Sequence, residues 1–283
     1  MALIQLDFYS QLLKRSVKLN AYIPLDDKLI PGQEPASGPF KTMYLLHGYT
    51  GNCYGWLGSD DIDDISRLYG IAVVMPEGEN HFYVDAARRG DMYGEYIGRE
   101  IVEFTRTLFP LSHKREDTII AGISMGGYGA LRNGLKYSGM FGHILGISPA
   151  NIIHELRDAT EEANNVGATR GFYESVFGDL DGAMDTDVNL TYLAEKMKRE
   201  GTDFPTIYFS CGYNDMLVFT NRNFHNVLTS LGVPHIYEEG PGTHDPLFFK
   251  PHLISGLETL NIEKPPVPPN PFWIERPADG KAL

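Results

Sequence analysis

A serine flanked by glycines lies near the middle of the chain, in Ala121-Gly122-Ile123-Ser124-Met125-Gly126-Gly127. A serine hydroxyl can act as a nucleophile if a base takes its proton and an acid holds that base in one tautomer. Gly-x-Ser-x-Gly arises readily by chance, so its surroundings decide what it means. Residues 117–120 before it are β-rich, and residues 128–135 after it read as helix. Strand, Gly-x-Ser-x-Gly, helix is the setting of a nucleophile elbow, which lifts the hydroxyl above the carboxyl edge of a sheet. The flanking glycines leave room for the neighbouring strand and helix. The bland alternative is a Gly-rich turn whose serine only caps the helix.

The base must be a histidine placed on the same edge. Of the four histidines after residue 210, His225 and His252 fall in predicted helices and His235 in the last predicted strand. His244 falls in a loop, Glu239-Gly240-Pro241-Gly242-Thr243-His244-Asp245, whose Gly and Pro residues form a turn able to present an imidazole. The acid is expected between serine and histidine in chain order. Asp215 meets this, just past a buried strand in Cys211-Gly212-Tyr213-Asn214-Asp215. Asp245 is a weaker rival, because adjacent side chains diverge.

Charge developing on an attacked carbonyl oxygen needs donors already in place. The Met125 N–H, at the start of the elbow helix, supplies one. The other is expected from the loop after an earlier strand, with the Tyr49 N–H first and Gly48 second. His47 is read as a strand-end residue that shapes this loop, although its type would also suit a base. Substrate contacts are expected from Gly48, Trp56, Tyr213, Met216 and Leu217, with Tyr49, Phe82 and Tyr83 as further aromatic walls.

These residues need a frame. Residues 3–9 and 16–23 alternate apolar and polar residues about a break at 10–15, which predicts a hairpin. Apolar runs at 41–47, 71–76, 117–120, 144–148, 206–210 and 234–238 predict strands. Helices are predicted over 60–69, 92–108, 128–135, 219–231 and 246–260, with a loop over 77–90. Strands alternating with helices imply a parallel sheet covered on both faces, with ligand sites beyond the strands' carboxyl ends. The polar stretch 151–201 departs from this alternation and is expected to cap the site. Residues 1–263 are therefore read as one domain. Residues 264–283 form a Pro-rich tail, expected to be an extended strap on its own subunit or a neighbour, which leaves a homo-oligomer open.

A chain of 283 residues is long enough to bury a sizeable core, and 42% hydrophobic with 22% charged residues suits a globular protein. The net charge of −13 argues against binding to nucleic acid or an anionic membrane surface. The N-terminus lacks the features of a signal peptide, and no apolar run reaches membrane-spanning length. The distant Cys53 and Cys211 fit a reduced, cytoplasmic protein. No motif signals a metal.

Six landmarks then occur in a known order: Tyr44-Leu45-Leu46-His47-Gly48, Val74-Met75-Pro76-Glu77-Gly78, Phe82-Tyr83-Val84-Asp85, Gly122-Ile123-Ser124-Met125-Gly126-Gly127, Gly212-Tyr213-Asn214-Asp215 and Gly242-Thr243-His244-Asp245. They resemble the esterase D branch of the α/β-hydrolases, across most of residues 40–260. That branch includes tributyrin-type esterases, acetyl-xylan and feruloyl esterases, S-formylglutathione hydrolases and, more distantly, mycolyltransferases. The resemblance implies a mostly parallel central sheet with helices on both faces and a small helical cap insertion. It also implies a Ser124–Asp215–His244 triad and an oxyanion hole from Tyr49 and Met125. His47-Gly48-Tyr49-Thr50-Gly51-Asn52 followed by Trp56 is more similar to the tributyrin-type and feruloyl or acetyl esterases. S-formylglutathione hydrolases typically carry a Ser-Gly-Leu-Thr-Cys-type loop there, and the Pro-rich tail lies outside the family pattern.

The expected function is that of a serine carboxylesterase without a cofactor. It would hydrolyse short-chain acyl or phenolic esters, of acetyl or feruloyl type, on small molecules or carbohydrates, through an acyl-enzyme on Ser124. Three alternatives are an S-formylglutathione hydrolase-like thioesterase, an acyltransferase using the same triad, and an inactive relative acting as a scaffold.

Overall fold

Near-continuous apolar runs in the inner strands are what a sheet covered on both faces requires. A computed structural model describes residues 2–25, 37–57, 62–86, 89–164 and 166–264. Its strands in chain order are β1 (Ala2–Ser10), β2 (Arg15–Ile23), β3 (Thr42–Leu46), β4 (Ala72–Pro76), β5 (Asp85–Ala86), β6 (Asp91–Met92), β7 (Thr118–Ile123), β8 (His143–Ile147), β9 (Thr206–Gly212) and β10 (Ile236–Gly240). The α-helices are α1 (Ile62–Tyr69), α2 (Tyr93–Glu95), α3 (Ile101–Leu108), α4 (Met125–Lys136), α5 (Arg170–Phe177), α6 (Leu190–Glu200), α7 (Val218–Ser230) and α8 (Pro246–Thr259).

All strands except β5 and β6 form one sheet in the order β1-β2-β4-β3-β7-β8-β9-β10. The β1–β2 and β2–β4 pairs are antiparallel, and every other pair in it is parallel. This is the α/β-hydrolase architecture expected from the sequence. The period of two along a strand sorts β3 cleanly. Met43 and Leu45 pack with Ile65 and Tyr69 of α1 and Leu253 and Leu257 of α8. Tyr44 and Leu46 join the opposite layer, with Ile101 of α3, Leu131 of α4 and Leu228 of α7.

The path of the chain fixes where a ligand can sit. From β3 the chain passes to β4 on one side, then crosses back to β7 on the other. The loops after β3 and β7 therefore part at the sheet edge and leave a crevice between them, the usual ligand site of an open α/β sheet. Ser124 follows β7, and Tyr49 lies in the loop after β3.

Several boundaries differ from the sequence reading. The loop at 77–90 contains a strand, because β5 pairs with β6. The helix expected over 92–108 is interrupted by a π-helical turn, Tyr96–Glu100, in which Gly98 lies against the Tyr137 ring. The last strand is shifted by two residues and leaves His235 just outside it. Only part of 151–201 behaves as a cap. Helix α6 buries Leu190, Leu193, Ala194 and Met197, a 3–4 spaced stripe, and lies alongside α4 as an ordinary layer helix. The expected tail strap and the first residues of the helix predicted from residue 60 lie outside the described residues.

Candidate active site

The turn after β7 forces Ser124 into a backbone conformation that L-residues rarely adopt, with φ +54° and ψ −119°. Such a conformation costs roughly 1–3 kcal/mol and persists only where the surroundings hold it. Here Ser124 N–H donates to Ile147 O at 2.9 Å, and Ser124 O accepts from Tyr128 N–H at 3.0 Å and Ala150 N–H at 2.9 Å. Glycine is required on both sides because a Cβ on Gly122 would stand 2.4 Å from Gly126 and one on Gly126 2.2 Å from Leu46 O. The Ser124 side chain makes no capping bond to α4, so the bland helix-cap reading does not apply.

The hydroxyl is bonded elsewhere. Ser124 Oγ lies 2.9 Å from His244 Nε2, and His244 Nδ1 lies 2.8 Å from Asp215 Oδ2. The loops carrying acid and base are tied together, since Tyr213 N–H donates to Gly240 O at 2.8 Å and Asn214 N–H to Gly242 O at 3.0 Å. Asp215 is buried, and its other oxygen accepts from Leu217 N–H at 2.8 Å. Burial acts to raise its pKa, but the His244 ring and the Leu217 N–H outweigh burial and hold the carboxyl below its usual range. Asp245 is occupied as the N-cap of α8, accepting from Leu247 and Phe248 N–H, so it does not compete for His244. The edge of the His244 ring meets Phe249, with centroids 5.0 Å apart.

The loop after β3 is braced from behind. His47 is buried, with Nδ1 2.9 Å from Gly48 O and Nε2 3.0 Å from Gly78 N. Tyr83 Oη donates to His47 O at 2.8 Å, and Thr50 N–H donates to Asn80 Oδ1 at 2.8 Å. These bonds give His47 the loop-shaping position expected of it. Gly48 lies against Ser124, since a Cβ there would be 3.5 Å from that of the serine. Among the described residues, the N–H groups of Tyr49 and Met125 have no hydrogen-bond acceptor.

Ser124 and His244 open into a cavity of about 880 Å³. Of the residues expected to touch substrate, Met216, Leu217, Tyr49 and Phe82 line it. Trp56 does not: it is buried in the core beneath the sheet's other face and borders a separate hollow of about 50 Å³. Tyr213 and Gly48 are not on the wall either, because Tyr213 projects to solvent and Gly48 presents no side chain. Tyr83 is spent on His47. Much of the remaining wall comes from residues 150–173, including Ile152, Glu155, Leu156 and Tyr173. The sequence marked this stretch as a cap but carried no periodicity to say which residues face inward.

Two anchors fix the later part of the insertion to the elbow helix. The fully buried Arg132 of α4 reaches Asp187 at 2.7 Å and Asp85 at 3.5 Å, and Lys136 reaches the same pair at 2.8 and 3.1 Å. Burial alone would raise the Asp187 pKa, but Arg132 and Lys136 lower it below the usual value. Tyr128 Oη donates to Val188 O at 2.6 Å.

No metal site competes with this arrangement among the described residues, where no group of three or more His, Cys, Asp or Glu is placed to hold an ion. No helix among them is long and apolar enough to cross a membrane.

Comparison with known proteins agrees with the geometry. Residues 10–260 match the Esterase family model, described as "Putative esterase". An acetyl esterase of Caldicellulosiruptor saccharolyticus is 42% identical over 263 residues, covering 92% of this chain and 98% of that protein. Among solved structures, the S-formylglutathione hydrolase FrmB of Staphylococcus aureus is 27% identical, with a TM-score of 0.78 over 93% of this chain and 99% of that one. FphF, a fluorophosphonate-binding serine hydrolase of the same organism, superposes with a TM-score of 0.80 at 27% identity over the same shares of both chains. A match spanning nearly the whole described chain, on a fold that carries the elbow serine at its switch point, makes this protein a member of that esterase family and a serine carboxylic ester hydrolase of the α/β-hydrolase fold.

Proposed function

We propose that the enzyme removes short acyl groups, acetyl foremost, from alcohols through an acyl-enzyme on Ser124. The observation that carries this reading is the Ser124–His244–Asp215 relay, with spacings of 2.9 and 2.8 Å, at the cavity. The 42% identical acetyl esterase supports the choice of acyl group. Ser124 Oγ attacks the ester carbonyl carbon while its proton passes to His244 Nε2. The N–H groups of Tyr49 and Met125 receive the developing oxyanion. His244 then protonates the departing alcohol. In the second half-reaction a water gives its proton to His244 and attacks the acyl carbonyl, and collapse returns the proton to Ser124 as the carboxylic acid leaves. The buried, apolar part of the wall, with Phe82, Met125 and Leu156, suits a short acyl chain.

The S-formylglutathione hydrolase of Staphylococcus aureus favours a thioester as the second reading. A panel of p-nitrophenyl acetate, p-nitrophenyl butyrate, methyl ferulate and S-formylglutathione tests both, with wild type and Ser124→Ala. Acetyl and butyryl esters should lead, and Ser124→Ala should lose roughly 10⁴–10⁶-fold in kcat. Retention of most turnover by the variant would reject the mechanism, and a strong preference for the thioester would reject the substrate choice. We further propose a cytoplasmic location, supported by Cys53 and Cys211, both buried and free. Fractionation of the producing cell tests it.

A further inference from the structure

The cavity above Ser124 has two kinds of wall. Most of the buried residues on it, among them Phe82, Met125, Ala150, Leu156 and Leu217, are apolar. The exposed residues include three carboxylates, Glu155, Asp158 and Glu162, all from one short stretch of the cap. No lysine or arginine lines the cavity among the described residues. Arg157, between Glu155 and Asp158 in the chain, is exposed but is not on that wall, while Arg170 pairs with Glu174 at 2.7 Å, and Arg132 and Lys136 pair with Asp187. A volume of about 880 Å³ equals a sphere about 12 Å across, so any charge held inside lies within about one Debye length of the wall at moderate salt. A short acyl group fills only a small, deep part of that volume. The leaving group then lies against the rest of the wall, which includes these carboxylates.

We propose that Glu155, Asp158 and Glu162 act as a charge filter at the mouth of the cavity. They favour esters whose leaving group is uncharged or cationic over esters whose leaving group is an anion. The inference rests on the esterase reading and specifies its substrate class: polyols and other neutral alcohols, or cationic alcohols, are accepted. Anionic thiols such as glutathione are disfavoured. The three residues act on the substrate through space and take no part in proton transfer.

Acetylcholine and 3,3-dimethylbutyl acetate form the test pair, because they share a shape and differ by one positive charge. The readout is the ratio of their kcat/KM values, which makes each enzyme its own reference. Coulomb attraction to three carboxylates across such a cavity, in a largely aqueous dielectric, implies about a tenfold contribution to that ratio at about 10 mM ionic strength. The triple variant Glu155→Gln, Asp158→Asn, Glu162→Gln should lose that factor. Wild type alone should lose most of it when salt is raised to about 0.5 M, and this needs no variant to fold. A change smaller than threefold on neutralising the three residues, or a wild-type ratio insensitive to salt, would overturn the filter. If neither ester is turned over and Ser124 is not labelled by a fluorophosphonate, the esterase reading falls and the filter with it. Turnover without charge discrimination removes the filter alone.

Discussion

Asp215 shows how much one buried carboxylate can decide. One of its oxygens faces His244 Nδ1 and the other is held by Leu217 N–H, so the imidazole has a single orientation open to it. An asparagine would keep the shape but could present N–H to the ring, turning Nε2 into a donor and leaving Ser124 without a base. Asp215→Asn should therefore fold and lower kcat on p-nitrophenyl acetate by about 10⁴-fold, as loss of the corresponding charge does in serine proteases. Far-UV circular dichroism checks the fold, and a loss below tenfold would remove Asp215 from the relay. The relay residues were legible in the sequence because each stands in its own local signal: an elbow, a strand-end turn, a Gly-Pro loop. Trp56 and Tyr213 were not, since nearness to such a signal along the chain says nothing about direction. Trp56 turned into the core and Tyr213 into solvent.

At the scale of elements, the loop after β3 depends on the loop after β4. Glu77 accepts from Glu79 N–H at 3.0 Å and Cys53 N–H at 3.3 Å, and its Oε1 lies 3.3 Å from His47 Nε2. Burial opposes its charge, but the His47 ring and these N–H groups prevail and bring its pKa from 4.5 to about 2. A pKa lowered by folding contributes stability that is complete above the unfolded value and lost as pH falls through the folded one. Glu77→Gln should thus cost about 2–3 kcal/mol at neutral pH. The gap between wild type and variant should close as pH falls from 4.5 to about 2, as read by urea unfolding across that range. A gap independent of pH would mean that the charge of Glu77 contributes nothing. Strands and long helices were readable from apolar runs. The β5–β6 pair was not, because two-residue strands have no period, and the π turn at Tyr96–Glu100 answers to Tyr137, a residue far along the chain.

Over the whole molecule, cap and sheet share one core. Ile153, Leu156, Tyr173, Val176 and Leu180 of the insertion belong to the same buried cluster as Leu46, Ile120 and Phe209 of the sheet. Arg132 and Lys136 add charged anchors at Asp187. The cap should therefore melt with the body: calorimetry should give one endotherm, with calorimetric and van't Hoff enthalpies close to equal. A separate earlier endotherm would show the cap to be an independent unit.

By itself the sequence determined the sheet, the elbow and the chain order of Ser124, Asp215 and His244, which the fold brings together. Those depend on apolar runs and turn residues that act within a few positions of themselves. The tertiary structure alone decided which loops meet at the switch point, which part of 151–201 leans over Ser124 and which part packs as α6. The cavity wall is assembled from segments near residues 49, 82, 125, 150–173, 217 and 244. Their convergence is set by packing between distant parts of the chain, and a polar, aperiodic cap carries no local signal of the face it will present. For that reason the class of reaction could be read from the sequence, and which side chains line the cavity only from the fold.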